Sequence, residues 1–216
     1  MKTHQIIVLD RSGSMSACRE ETISGFNQVV REVGAAAEGA DVRVTLVVFN
    51  EEVGFAAFCE PVEALHPLTW ETYEPGGSTA MLDAVGIALE RFAAEVGDDA
   101  ETRYVVVIIS DGEENASRRY DYAAIASMIG ARQNTGRWTF AYVGANQDLS
   151  EVSRRMHIPQ RNMVCYAPTR GGTQEAFDVV SKASCSLIGD EAMSSAEFFG
   201  GGKAEAKGKG KKRTKR

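Results

Sequence analysis

Asp10, Ser12 and Ser14 alternate along one short stretch and place a carboxylate and two hydroxyls within a single turn. They follow the apolar run Ile6-Ile7-Val8-Leu9, so the turn stands at the end of a buried strand. Oxygen donors packed this closely suit a hard divalent cation, Mg²⁺ or Mn²⁺. Gly76-Gly77-Ser78-Thr79 brings a further hydroxyl ahead of a helical pattern, and Val105 to Ile109 form a second apolar strand that ends in Ser110-Asp111-Gly112. His4, His66 and His157 share no spacing and lie outside these segments, so they read as structural and supply no general base. Cys18, Cys59, Cys165 and Cys185 are scattered, with no CxxC or Cys/His metal spacing, and read as reduced and mostly buried.

Positioning these groups requires a particular scaffold. Apolar runs alternate with amphipathic stretches, which predicts βα units and a mostly parallel sheet. Strands are predicted near 5–10, 42–49, 53–59, 103–110, 138–144 and 163–166, and helices near 18–38, 80–95, 118–134, 148–156 and 173–188. The 6–9 and 105–109 runs are continuous rather than alternating, as in strands covered on both faces. Only Asn50-Glu51-Glu52 separates the second and third strands, too little for a parallel crossover, so one edge strand is antiparallel. The fold class is thus α/β: a Rossmann-like, doubly wound sheet of six strands with helices on both faces. In such sheets ligands bind beyond the carboxyl ends of the strands, where Asp10 and Asp111 both fall. Two glycines free the loop before Thr79 to approach them, and Thr79 would also cap the helix of 80–95.

Taken together, the Asp-x-Ser-x-Ser turn, the Gly-Gly-Ser-Thr loop and the strand ending in Asp-Gly resemble the von Willebrand factor A domain and its metal-ion-dependent adhesion site. The resemblance covers residues 1–190. It implies Ser12, Ser14 and Thr79 as hydroxyl ligands to Mg²⁺ (or Mn²⁺), with Asp10 and Asp111 holding metal-bound waters. It implies a protein-binding module, not an enzyme, that docks a partner's Asp or Glu carboxylate through the cation. The family includes integrin-type receptors, magnesium-chelatase subunits and bacterial proteins partnered with MoxR-type ATPases. Asp-Arg-Ser-Gly-Ser-Met in a single-domain chain looks most like small cytosolic bacterial proteins of tellurite-resistance-associated operons. That analogy points to a co-encoded ATPase, kinase or phosphatase as partner.

Composition sets the remaining bounds. The 216 residues suffice for one α/β domain with a sizeable core. The net charge of −6 conceals an asymmetry: residues 203–216 hold eight Lys and Arg against one acid, or +7, which leaves 16 basic and 29 acidic residues, or −13, elsewhere. An acidic body argues against nucleic acid as its own ligand. Residues 191–216 are predicted to be a Gly/Lys-rich, disordered basic tail that meets nucleic acid weakly if at all. No stretch reaches the ~18 apolar residues of a membrane helix. The 6–9 run is shorter than a signal-peptide core, so a cytoplasmic location is expected.

Other residues carry two readings. Ser16 reads as a helix cap. Asp83, Glu113, Glu114 and Asn115 read as solvated residues or as a rim to the site, and Asn146 as a turn residue at the same sheet edge. Trp70 and Tyr73 read as an exposed contact rim or as packing over the sheet edge, and Trp138 as core. Two other functions compete with this reading. A Mg²⁺-dependent phosphatase would need a carboxylate where Ser12 stands and a catalytic Lys, for which 80–185 offer only Lys182. A scaffold tethered to nucleic acid would act through the tail. No phosphate-binding Gx₄GK[ST] loop is present.

Overall fold

The two continuous apolar runs lie side by side at the centre of the sheet. A computed structural model describes residues 2–145, 148–189 and 198–199. Strand β1 (Lys2–Asp10) pairs in parallel with β2 (Val42–Phe49) on one side and β4 (Thr102–Ser110) on the other. Beyond them, β3 (Val53–Pro61) pairs antiparallel with β2, while β5 (Trp138–Ala145) and β6 (Met163–Tyr166) extend the sheet in parallel. The order is β3-β2-β1-β4-β5-β6. Chain direction across the sheet therefore reverses between β1 and β4, and a crevice opens there at the carboxyl ends.

Alternation along β1 explains why both faces are covered. Ile7 and Leu9 pack with Phe26, Val29 and Val33 of α1 (Arg19–Ala36) and Phe177 and Val180 of α5 (Arg170–Gly189). Ile6 and Val8 pack with Val85 and Leu89 of α2 (Met81–Glu95), Ile125 of α3 (Tyr122–Gln133) and Met156 of α4 (Leu149–Met156). Each such side chain contributes roughly 1.5–3 kcal/mol by leaving water. Trp138 is buried, as expected. Helix α1 and helix α5 approach so closely that a β-carbon on Gly25 would stand 2.5 Å from the Phe177 ring.

Element boundaries differ from the sequence reading at several points, and β1 begins at Lys2 instead of 5. Residues 13–18 form a 3-10 turn ahead of α1, without a side-chain cap from Ser16. Helix α3 starts at Tyr122 instead of 118, because carboxylates from elsewhere engage the preceding backbone N–H groups. Helix α5 starts at Arg170, three residues early. Asn146 and residues 203–216 lie outside the described residues. Among the described residues no helix is long and apolar enough to cross a membrane.

Candidate metal centre

Asp10 ends β1 with its side chain fully buried. Its Oδ1 accepts the Ser12 N–H at 2.6 Å and its Oδ2 accepts the Ser110 hydroxyl at 2.6 Å. Ser12 Oγ lies 3.1 Å from Ser14 Oγ, and Ser14 donates to Asp111 Oδ1 at 2.5 Å. Asp10 and Asp111, 101 positions apart, thus belong to one connected group. Ser110 is the residue that sequence reasoning missed. Leu9 and Ile109 are register partners, so the residues after them, Asp10 and Ser110, end adjacent strands together.

Gly112 marks where the hydroxyls converge. A β-carbon there would lie 3.1 Å from Thr79 Oγ1, 3.4 Å from Ser14 Oγ and 3.8 Å from Ser12 Oγ. All three oxygens therefore face one small volume that glycine leaves open. That hydroxyl cradle, with Asp111 bonded to one of its members, fits a hard divalent cation. Among the described residues no cluster of three or more His, Cys, Asp or Glu forms a competing ligand set.

Thr79 reaches the cradle because its loop is tied on three sides. Gly77 has a left-handed φ of +76°, and the Glu51 carboxylate lies where its β-carbon would be. Only glycine fits both conditions. Glu51 accepts the Ser78 N–H at 2.9 Å, Asn50 donates to the Gly76 carbonyl at 2.9 Å, and Gly13 N–H donates to the Gly77 carbonyl at 3.0 Å. The β2–β3 turn thereby positions the loop that carries Thr79 to the hydroxyl cradle.

The segment after β4 forms the other wall. Asn115 Oδ1 accepts the Thr79 N–H at 2.9 Å, while the Asn115 and Ala116 N–H groups donate to the Thr79 carbonyl. Glu114 accepts from the N–H groups of Leu82, Ala116 and Ser117 and from the Ser117 hydroxyl. Asp83 accepts the N–H groups of Arg118, Arg119 and Tyr120, which delays the start of α3. Glu114, Asn115 and Asp83 are therefore tethers between loops. Glu114 and Ser117 take the first-turn N–H groups of α2, so the Thr79 hydroxyl is not its cap and stays with the cradle.

Trp70 and Tyr73 divide between the two readings. Trp70 is 54% exposed, with the Arg19 guanidinium 4.3 Å above its ring. Tyr73 is fully buried and donates its hydroxyl to the Asp10 carbonyl at 2.6 Å. Arg19 also donates to the carbonyls of Tyr73 and Trp70. Lys182 is exposed on α5.

Burial raises the pKa of Asp10, opposed by the hydrogen bonds from Ser110 and Ser12 and reinforced by the charge of Asp111. Burial likewise raises Asp111, opposed by Ser14. Among the described residues neither carboxylate has a Lys or Arg ion-pair partner. Two desolvated acids without a counter-charge attract a cation.

No protein-family model and no curated protein matches the sequence. Solved structures match the fold. The chain is similar to proximal thread matrix protein 1 from the mussel byssus, solved with a zinc-occupied MIDAS motif: TM-score 0.62, 16% identity, 86% of this chain and 48% of that one. It is similar to the manganese-loaded TRAP protein of Plasmodium vivax: TM-score 0.56, 13% identity, 81% of this chain and 71% of that one. It is also similar to the vWF domain of the type V pili tip protein Mfa5 from Porphyromonas gingivalis: TM-score 0.58, 11% identity, 86% of this chain and 96% of that one. The chain spans about half the length of the thread matrix protein it matches. These likenesses establish the von Willebrand factor type A fold.

Proposed function

We propose that this von Willebrand factor type A fold serves as a cation-dependent protein-binding module. The observation that carries the reading is the convergence of the Ser12, Ser14 and Thr79 hydroxyls on the space Gly112 leaves open, beside Asp111 and tied to buried Asp10 through the Ser12 N–H. Ser12, Ser14 and Thr79 would hold Mg²⁺, or Mn²⁺ in its place, with Asp10 and Asp111 orienting its waters. A divalent cation held mainly by neutral hydroxyls supplies an electrophilic point at which an Asp or Glu of a partner protein can bind. Ser110 and the Ser12 backbone keep Asp10 oriented toward this group. Tyr73 fixes its backbone carbonyl, and Asn115 and Glu114 hold the Thr79 loop in place.

A non-enzymatic role is the reading that the structural neighbours favour, a thread matrix protein and a pili tip protein among them. The four free cysteines suit a reducing compartment; a cytoplasmic, bacterial setting and a co-encoded ATPase, kinase or phosphatase as partner are part of the proposal.

Calorimetric titration with Mn²⁺ or Mg²⁺ tests the metal: one site is expected in the wild type and none in Ser12→Ala/Ser14→Ala. Immobilised protein tests the docking. Proteins retained from lysate in Mg²⁺ should be released by EDTA and retained less by Thr79→Ala. Identical retention under all three conditions would move docking to another face.

A further inference from the structure

At the opposite end of the sheet, three neighbouring strands bring together His4 of β1, Thr45 of β2 and Cys59 of β3. The edge strand is irregular there. Val44 pairs with Glu60 and Leu46 with Ala57, so Phe58 and Cys59 together oppose Thr45 alone. Such a bulge re-aims a side chain. Cys59 adopts a φ of 53°, and its N–H donates to Thr45 Oγ1 at 3.0 Å. Its Sγ then lies 3.8 Å from His4 Nδ1, while His4 Nε2 lies 2.9 Å from the same Thr45 hydroxyl. The His4 ring is held edge-on against Phe92, with centroids 4.5 Å apart. Both side chains line a cavity of about 240 Å³, into which half-buried Cys59 opens.

This is the geometry of two metal ligands with an orienting group behind one of them. Zinc binds thiolate sulfur at ~2.3 Å and imidazole nitrogen at ~2.0–2.1 Å. A cation at both distances spans the 3.8 Å gap with an S–metal–N angle of roughly 120°. The tautomer that donates Nε2–H to Thr45 leaves the Nδ1 lone pair facing Sγ, the arrangement by which an outer hydrogen bond orients a ligating His. Burial and the Arg43 charge lower the His4 pKa to about 4, so the ring is neutral at pH 7. On coordination the Cys59 thiol gives its proton to solvent. Asp41 and Asp99 line the same cavity but pair with Arg43 and Lys2, and no third His, Cys, Asp or Glu among the described residues joins the pair. With two protein ligands, water would have to complete the shell, and binding would be weaker than at a four-ligand structural zinc site.

We propose that His4 and Cys59 form a second metal site, selective for a borderline-soft divalent cation of the Zn²⁺ class. The hydroxyl cradle offers only oxygen, whereas this pair offers nitrogen and sulfur, so thiolate coordination distinguishes the second site from the first.

Co²⁺ titration of the reduced full chain tests this, because a thiolate-to-cobalt absorption band reports only sulfur coordination. The band should follow a single-site isotherm, disappear on adding Zn²⁺ and persist in Ser12→Ala/Ser14→Ala, where the cradle is broken. It should vanish in Cys59→Ser, and His4→Gln, with folding checked by circular dichroism, should weaken Co²⁺ binding at least tenfold. In the wild type, Zn²⁺ should slow alkylation of Cys59 at least tenfold while leaving exposed Cys165 unchanged. No band, a band that survives Cys59→Ser, unchanged affinity in folded His4→Gln, or alkylation of Cys59 indifferent to Zn²⁺ would overturn the proposal.

Discussion

The Ser110 hydroxyl donates to Asp10 Oδ2 at 2.6 Å, and both residues are fully buried. Asp10 thus has one carboxylate oxygen held from its own turn and the other from the neighbouring strand. Removing one donor leaves a buried charged oxygen without its partner, which costs about 1–3 kcal/mol. Ser110→Ala is expected to lower the melting temperature and to weaken Mn²⁺ binding several-fold. Denaturation and calorimetry on the same preparation check both effects. Unaltered Mn²⁺ affinity would separate Ser110 from the metal centre.

Gly112 and Gly76 form a matched pair. Gly112→Ala would put a methyl group 3.1 Å from Thr79 Oγ1 and 3.4 Å from Ser14 Oγ, inside the cradle. Around Gly76 nothing lies within 4 Å of the corresponding position. Gly112→Ala is expected to abolish Mg²⁺ and Mn²⁺ binding while the far-ultraviolet circular dichroism stays native. Gly76→Ala should leave affinity within about twofold, since no contact or left-handed φ opposes it. Equal affinity in the two variants would displace the cradle from the centre of the site.

Glu114 accepts four hydrogen bonds that join the start of α2 to the segment after β4. Glu114→Ala is expected to cost about 2–3 kcal/mol, the loss of a charged acceptor serving several N–H groups. The effect should be local. Amide exchange at Leu82, Ala116 and Ser117 should speed up, while β1 and β4 in the centre of the sheet remain protected. Uniform acceleration across the sheet would show a global effect instead.

Cation binding should stabilise the fold. At a cation concentration of 100 times the Kd, a site confined to the native state contributes about 2.7 kcal/mol. For a domain of this size that corresponds to roughly 5–10 °C in melting temperature. The increase is expected with Mg²⁺ and Mn²⁺, reversed by EDTA and absent in Asp10→Ala. A shift of equal size in Asp10→Ala would point to a different stabilising site.

The sequence by itself determined the sheet and which oxygen-bearing side chains stand at the ends of its central strands. Continuous apolar runs predicted β1 and β4, and the three-residue Asn50-Glu51-Glu52 link predicted the antiparallel pairing of β2 with β3. These features were legible because strand burial and turn length are local properties of the chain. Tertiary structure decided what depends on contacts distant in sequence. Residues 118–121 follow a helical pattern, yet Asp83, about 35 positions earlier, holds the Arg118, Arg119 and Tyr120 N–H groups outside the helix. Tyr73 belongs to the interior because its hydroxyl finds the Asp10 carbonyl 63 positions away. His4 and Cys59 share no spacing, and only a bulge in an edge strand, a product of strand pairing, sets imidazole and thiol side by side. Local pattern specifies which groups a strand end carries, whereas the register between strands and the reach of carboxylates across loops specify which of those groups meet.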